Sequence, residues 1–273
     1  MKYFIDTEFI EGKQDKTFLG IKYGETKPTI DLISIGIKQE DLTNEVNKSM
    51  FTSNGSLLNY GKDIYNYGGK AYYSISKDFN LKAAWNNEWV RENVLKSIFN
   101  ELESKDYKEC NRAPQFGIAK RTIGCRFTFN NLKKYINRYG KTNKQIAQEI
   151  IEFIRSSELQ EPKVNTDYKE NSPEFYGYYS DYDWVVFCWL FGSMVDLPKG
   201  FPMYCKDLKQ ELDNKYKAIK SQQADLGITS EATLDRRLEP IQSNPNYPKQ
   251  INEHNALADA KWNYEFYKFL KTA

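Results

Sequence analysis

Two apolar runs near the N-terminus restrict this chain to folds built on a central sheet. Tyr3-Phe4-Ile5-Asp6-Thr7-Glu8-Phe9-Ile10 and Thr29-Ile30-Asp31-Leu32-Ile33-Ser34-Ile35-Gly36-Ile37 have the length and β-branched content of strands. The polar, glycine-containing stretch 11–27 reads as the loop between them, so the second run is the hairpin partner of the first. Asp6 and Glu8 interrupt the first run two positions apart. The alternation of a strand points both carboxylates to one face.

Further along, Ala71-Tyr72-Tyr73-Ser74-Ile75 reads as a third strand and completes an antiparallel meander. It follows a stretch near 38–70, rich in Asn, Lys, Gly and Ser, with turn signals at Asn54-Gly55 and Gly68-Gly69. Trp89, Val90, Val94, Leu95, Ile98, Phe99 and Leu102 then predict an amphipathic helix, with Trp89 on its core face. That period is lost over 105–130, where Pro114, Gly117 and Gly124 fall. Thr142 and Gln145 form a capping-box pair ahead of Ile146, Ile150, Ile151 and Ile154. Residues 174–180 read as a strand. Asp183 heads the run 184–191, apolar enough to be buried nearly all round, with Gly192 as its end. Strand spacing puts Asp181 on the same face as Asp183, and Asp181 is assigned to solvent.

Met203-Tyr204 suggests an edge strand, 207–217 a helix, and the polar stretch 218–252, with Pro240, Pro245 and Pro248, a long loop. The last helix, 256–271, places Ala258, Trp262, Phe266, Phe269 and Leu270 on one face. Asp259 falls inside that stripe, where an acid is costly unless a partner or a cation compensates it. The expected architecture is α/β: a mixed sheet, with a three-stranded antiparallel meander plus parallel strands, flanked by helices. One domain over 1–273 is expected, with insertions near 38–70, 105–130 and 218–250.

Composition narrows the setting. The net charge is +2, from 39 basic and 37 acidic residues, so no whole-molecule field announces a nucleic-acid ligand and any phosphate binding must be local. Basic clusters occur at Lys120-Arg121, at Lys133-Lys134 with Arg138, and at Arg236-Arg237. Cys110, Cys125, Cys188 and Cys205 lack any CxxC spacing and read as reduced thiols. With neither a long apolar span nor a signal-like N-terminus, the expectation is a cytoplasmic protein without membrane partners.

Chemistry concentrates at the two ends. His254 is the only histidine, five positions before Asp259. A carboxylate pair, distant carboxylates and one imidazole are the parts of a metal-dependent phosphodiesterase. Phe9, just past the acidic pair, and Thr7, between its members, are candidates for contact with a substrate nucleotide. Trp89 and Arg91 are weaker ones. A phosphatase with an Asp-x-Asp nucleophile pair is disfavoured, because the second acid here is Glu8.

Asp6-Thr7-Glu8, then Tyr182-Asp183 opening a buried helix, then His254 with Asp259, resembles the DEDDh branch of the DnaQ-like 3′-to-5′ exonucleases in the RNase H-like superfamily. The likeness extends to the bacterial RNase AS-like exoribonucleases through 3–10, 30–36 and 254–260. It continues at Trp89-Val90-Arg91 with Val94-Leu95, and at Asp183 with Cys188 and Leu190. The resemblance spans most of the chain; the insertions and the long loop depart from it. It implies an RNase H-like sheet and two divalent cations, Mg²⁺ or Mn²⁺, on Asp6, Glu8, Asp183 and Asp259. It also implies His254 as general base and release of 5′-mononucleotides from the 3′ end of single-stranded RNA, with adenylate-rich RNA and a homodimer suggested by the subgroup. The carboxylates are silent on the sugar, so a DNA exonuclease of the same fold is the nearest alternative. A binding module without catalysis is the next.

Overall fold

The computed structural model describes residues 1–19, 21–41, 70–112, 124–158, 172–225 and 244–272. Its strands are β1 (Lys2–Gly12), β2 (Asp15–Phe18), β3 (Ile21–Glu25), β4 (Thr29–Gln39), β5 (Ala71–Ile75), β6 (Glu174–Gly177) and β7 (Lys206–Asp207). Five of them form one mixed sheet in the order β5-β4-β1-β6-β7. The β1-β4-β5 meander is antiparallel, while β6 runs parallel to β1 and β7 parallel to β6. The edge strand thus lies at Lys206–Asp207 rather than at Met203-Tyr204.

The stretch 11–27 carries the β2-β3 hairpin instead of a plain loop. Lys22 bridges Asp15 and Glu25 across it at 2.7 and 2.9 Å, and Phe18, Ile21 and Tyr23 are exposed. A ribbon with solvent on both faces has no apolar alternation to betray it.

The helices are α1 (Leu81–Asn86), α2 (Glu88–Val90), α3 (Lys96–Arg112), α4 (Phe129–Tyr139), α5 (Asn143–Glu158), α6 (Asp181–Leu190), α7 (Leu208–Asp225) and α8 (Ala256–Thr272). A π-helical turn, Arg91–Leu95, joins α2 to α3. The capping box opening α5 forms as expected: the Gln145 amide donates to Thr142 Oγ1 at 3.2 Å, and the Thr142 amide to Gln145 Oε1 at 2.9 Å. Helix α3 continues to Arg112 and α7 to Asp225, so the non-helical stretches expected from 105 and from 218 begin later. The proposed insertions otherwise fall largely on 42–69, 113–123 and 226–243, outside the described residues, as do Lys120-Arg121 and Arg236-Arg237.

Strand alternation divides the core. Tyr3 and Ile5 of β1 pack with Ile146, Ile150 and Ile154 of α5 and with Trp184 and Phe187 of α6. On the opposite face Phe4 joins α7 and α8 through Leu208, Phe266 and Leu270. Ile10 joins a separate cluster with Val94, Ile98 and Phe99 of the α2–α3 arm. Asp6 and Glu8 share the face of Phe4 and lie between it and Ile10, at the seam of two cores. Helix α6 is not buried all round: Val185 and Trp189 are exposed, because α6 covers the sheet with one side only. Cys125, Cys188 and Cys205 are free thiols. Among the described residues no helix is long and apolar enough to cross a membrane.

Gly36, opposite Asp6 in β4, fixes where α8 lands. A Cβ there would meet the Ala256 carbonyl oxygen at 2.2 Å and the Leu257 nitrogen at 2.4 Å. Both obstacles are backbone, so the start of α8 must move to admit a methyl. Gly36→Ala is expected to cost about 3 kcal/mol or more, read as a lower urea midpoint at unchanged slope.

Candidate metal centre

Two backbone groups of β1 explain how three separate segments reach one point. Strand β6 pairs with β1 only through Phe4, so the β6-side edge of β1 is unpaired by strand from Ile5 onward. Side chains take over there. Asn263 of α8 donates from Nδ2 to the Ile5 carbonyl oxygen at 2.9 Å, and the Thr7 amide donates to Asp183 Oδ1 of α6 at 2.8 Å. The Thr7 hydroxyl adds a second bond to Asp183 Oδ1 at 2.6 Å. The helix carrying Asp183 and the helix carrying Asp259 are therefore pinned to the strand that carries Asp6 and Glu8.

Carboxylate oxygens of Asp6, Glu8 and Asp259 lie within 4.8 Å of one another, with Glu8 and Asp259 buried and Asp6 partly so. Asp259 is held from two sides: Gln250 Nε2 donates to Oδ1 at 2.6 Å and the His254 amide to Oδ2 at 2.9 Å. Asp183 is buried and close enough for its charge to act on Asp6 and Glu8. Its Oδ1 accepts both Thr7 bonds, and its own backbone amide also favours the ionised carboxyl. Asp181 and Asp183 both lie on α6 rather than on a strand; two helical positions turn them to opposite sides, and Asp181 is solvated.

This crowding shows in the electrostatics. Burial, then the charges of Asp183, Glu8 and Asp259, hold Asp6 well above the usual carboxylate range. Burial with Asp259 and Asp183 pushes Glu8 up to about 8. Burial raises Asp183 to about 6 against the two Thr7 bonds, and raises Asp259 against its bonds from Gln250 and His254. Among the described residues no lysine or arginine forms an ion pair with these four acids. Oxygen-only donors in this density suit a hard divalent cation, which would favour the ionised form of every one of them.

His254 sits beside the cluster with left-handed backbone, φ 63°, as does Asn252, φ 59°. Its ring lies edge-to-face on Trp89, centroids 4.7 Å apart at 73°. It also borders a polar groove of about 850 Å³ between α3 and the segment 252–257. Trp89 is thus not a core residue but 53% exposed. Counted at 100° per residue, it falls opposite the stripe of Val94 and Ile98, a signal that its adjacency to Val90 obscures.

Phe9 is partly buried, edge-on to the exposed Tyr182 at 5.8 Å, and packs on the Tyr3 and Ile5 side of β1, while the register shift beside it places an extra residue, Ile33, in β4. Arg91 is engaged by the Trp85 carbonyl at 3.2 Å and by Glu92 at 3.1 Å. Arg138 pairs with Asp106 at 2.8 Å.

Three roles are not apparent from sequence alone: Thr7 holding Asp183, Asn263 holding the Ile5 carbonyl, and Gln250 holding Asp259. Asn263 was legible as a polar residue four positions after Asp259 on the same buried face. Gln250, in a proline-rich polar stretch, carried no signal.

A cluster of buried carboxylates from a strand and two helices, with one histidine beside it, defines a metal-competent acidic centre. No protein-family model matches the chain. The chain is similar to two curated proteins named 3′-5′ exoribonuclease, from Mycobacterium tuberculosis strains CDC 1551 / Oshkosh and ATCC 25618 / H37Rv. Each is 24% identical over 210 residues, covering 77% of this chain and 73% of the relative.

Proposed function

We propose that this protein is a metal-dependent 3′-to-5′ exoribonuclease of the DEDDh type, acting on single-stranded RNA. The observation that carries the reading is the convergence of Asp6, Glu8 and Asp259 within 4.8 Å, with Asp183 fastened beside them through Thr7. Likeness to proteins named exoribonuclease supports RNA as substrate. The mixed sheet, with its antiparallel meander and parallel strands, is consistent with an RNase H-like architecture over one domain.

Asp6, Glu8, Asp183 and Asp259 would hold two divalent cations, Mg²⁺ or Mn²⁺. When bound, such ions make water a stronger nucleophile and stabilise the charge that develops on the leaving oxygen. The chain's own contribution is to fix Asp183 and Asp259 before substrate arrives, through Thr7, Gln250 and the His254 amide. Unprotonated His254 then accepts the proton of the attacking water, and 5′-mononucleotides leave one at a time from the 3′ end. In this reading Phe9, edge-on to Tyr182, would contact the terminal nucleotide, while Thr7 would act through Asp183. Adenylate-rich RNA, a homodimer and a cytoplasmic setting belong to this reading through the family resemblance.

The test is product analysis on 3′-labelled RNA and DNA oligomers of matched sequence with Mg²⁺ or Mn²⁺. EDTA-sensitive release of 5′-mononucleotides from RNA is expected. Preference for the DNA oligomer would reassign the substrate, and absence of hydrolysis without Mn²⁺ binding would leave a binding module. His254→Ala should lose about 10²- to 10⁴-fold in turnover while retaining Mn²⁺ affinity. Unchanged turnover in that variant would remove His254 from the mechanism.

A further inference from the structure

Trp89 is a large side chain that burial does not explain. It sits in the first turn of α2 with 53% of its surface exposed, while its neighbour Val90 enters the core. The turn that presents it is built with care: the Asn87 side chain accepts from the Val90 amide at 3.1 Å, and Asn93 Nδ2 donates to the Trp89 carbonyl at 2.9 Å. The π-helical turn Arg91–Leu95 follows at once, a departure from regular winding that recurs at functional sites.

Opposite Trp89, His254 occupies a backbone conformation that non-glycine residues seldom adopt. Its amide is anchored to Asp259, but that bond leaves the imidazole free to rotate about two side-chain torsions. The indole restricts that freedom by edge-to-face contact at 4.7 Å, a geometry aromatic pairs favour. A second link leads to the same arm of the fold. Asn255, next in sequence, caps α8 by accepting from the Ala258 amide at 3.1 Å, and donates to Glu101 Oε2 of α3 at 3.2 Å. The α2–α3 arm therefore holds the side chain of Asn255 through Glu101 and the ring of His254 through Trp89.

We infer that Trp89 is a positioning residue for His254: the indole holds the imidazole in the orientation from which it accepts the proton of the attacking water. This rests on the proposed function above, in which His254 is the base. Trp89 acts through His254 and not on the nucleotide. Its contribution is therefore to turnover, and it vanishes when the imidazole is absent.

The experiment is a double-mutant cycle on the full chain, with a 3′-labelled RNA oligomer and Mn²⁺, comparing Trp89→Ala, His254→Ala and the double variant. Trp89→Phe serves as the conservative replacement, and Mn²⁺ titration calorimetry accompanies each protein. Trp89→Ala should lower kcat by about 10- to 100-fold at nearly constant KM. Trp89→Phe should recover most of that loss, Mn²⁺ affinity should hold, and Trp89→Ala should cost nothing more in the His254→Ala background. A rise in KM at unchanged kcat would overturn the inference by making Trp89 a nucleotide contact. Additive losses, or lost Mn²⁺ binding in Trp89→Ala, would overturn it as well. Those outcomes leave the histidine-base reading standing if His254→Ala is crippled. Full turnover in His254→Ala would instead overturn that reading and this inference together.

Discussion

Asp6→Asn is expected to eliminate hydrolysis of a 3′-labelled RNA oligomer while making the metal-free protein more stable at pH 8. Asparagine preserves the volume of the side chain and removes one charge from a site where burial and three neighbouring carboxylates already oppose ionisation. Losing the interaction with a cation removes several kcal/mol of transition-state stabilisation, on the order of 10³-fold or more in turnover. Relief of repulsion among the acids works in the other direction, on the fold. Single-turnover kinetics and a thermal melt in EDTA check the two halves separately. Wild-type turnover in the variant would exclude Asp6 from the chemistry, and a lowered melting midpoint would contradict the electrostatic argument.

The second large effect is a stability that falls with rising pH in the absence of divalent ions. Glu8, at about 8 in the folded protein, stands above its ordinary 4.5, and Asp183, at about 6, above its ordinary 3.8; Asp6 and Asp259 are raised too. Between the unfolded and folded values the native state holds protons that the unfolded chain has released. Stability therefore declines as pH climbs through that window. It is greatest below about pH 4 as far as these groups are concerned, and the penalty from Glu8 and Asp183 is fully felt above pH 8. Each pK unit corresponds to about 1.4 kcal/mol, so the coupled cluster amounts to several kcal/mol. Urea unfolding in EDTA at pH 5 and pH 8 should show the lower midpoint at pH 8, and millimolar Mn²⁺ should reverse the difference. A metal-free protein equally stable at both values would mean that the acids are better solvated or paired than their burial implies.

Much of the scaffold was legible because periodicity is a local property. The alternation of β1, the β-branched composition of β4 and β5, the Thr142–Gln145 capping box and the apolar stripe of α8 each follow from a few consecutive residues, and each forms as expected. Errors gathered where local pattern carries little weight. The β2-β3 hairpin has solvent on both faces, and α3 and α7 run on past their apolar stripes into polar turns. Trp89 adjoins Val90 in sequence, but a helical step of 100° separates their side chains.

The sequence by itself determined which residue types were available: an acid pair on one strand face, an acid on the buried stripe of the last helix, an acid opening α6, and a single imidazole. Their meeting was decided only in the tertiary structure. Strand β6 stops pairing at Phe4, which leaves the Ile5 carbonyl and the Thr7 amide to be satisfied by Asn263 and Asp183. Gly36, with no side chain, lets the start of α8 rest on β4 beside Asp6. Both are consequences of backbone groups that must find partners and of atoms that cannot overlap, and neither is written in the spacing of the acids. The same holds for Trp89 against His254, two residues 165 positions apart whose contact exists only because the α2–α3 arm and the start of α8 share the seam between two cores.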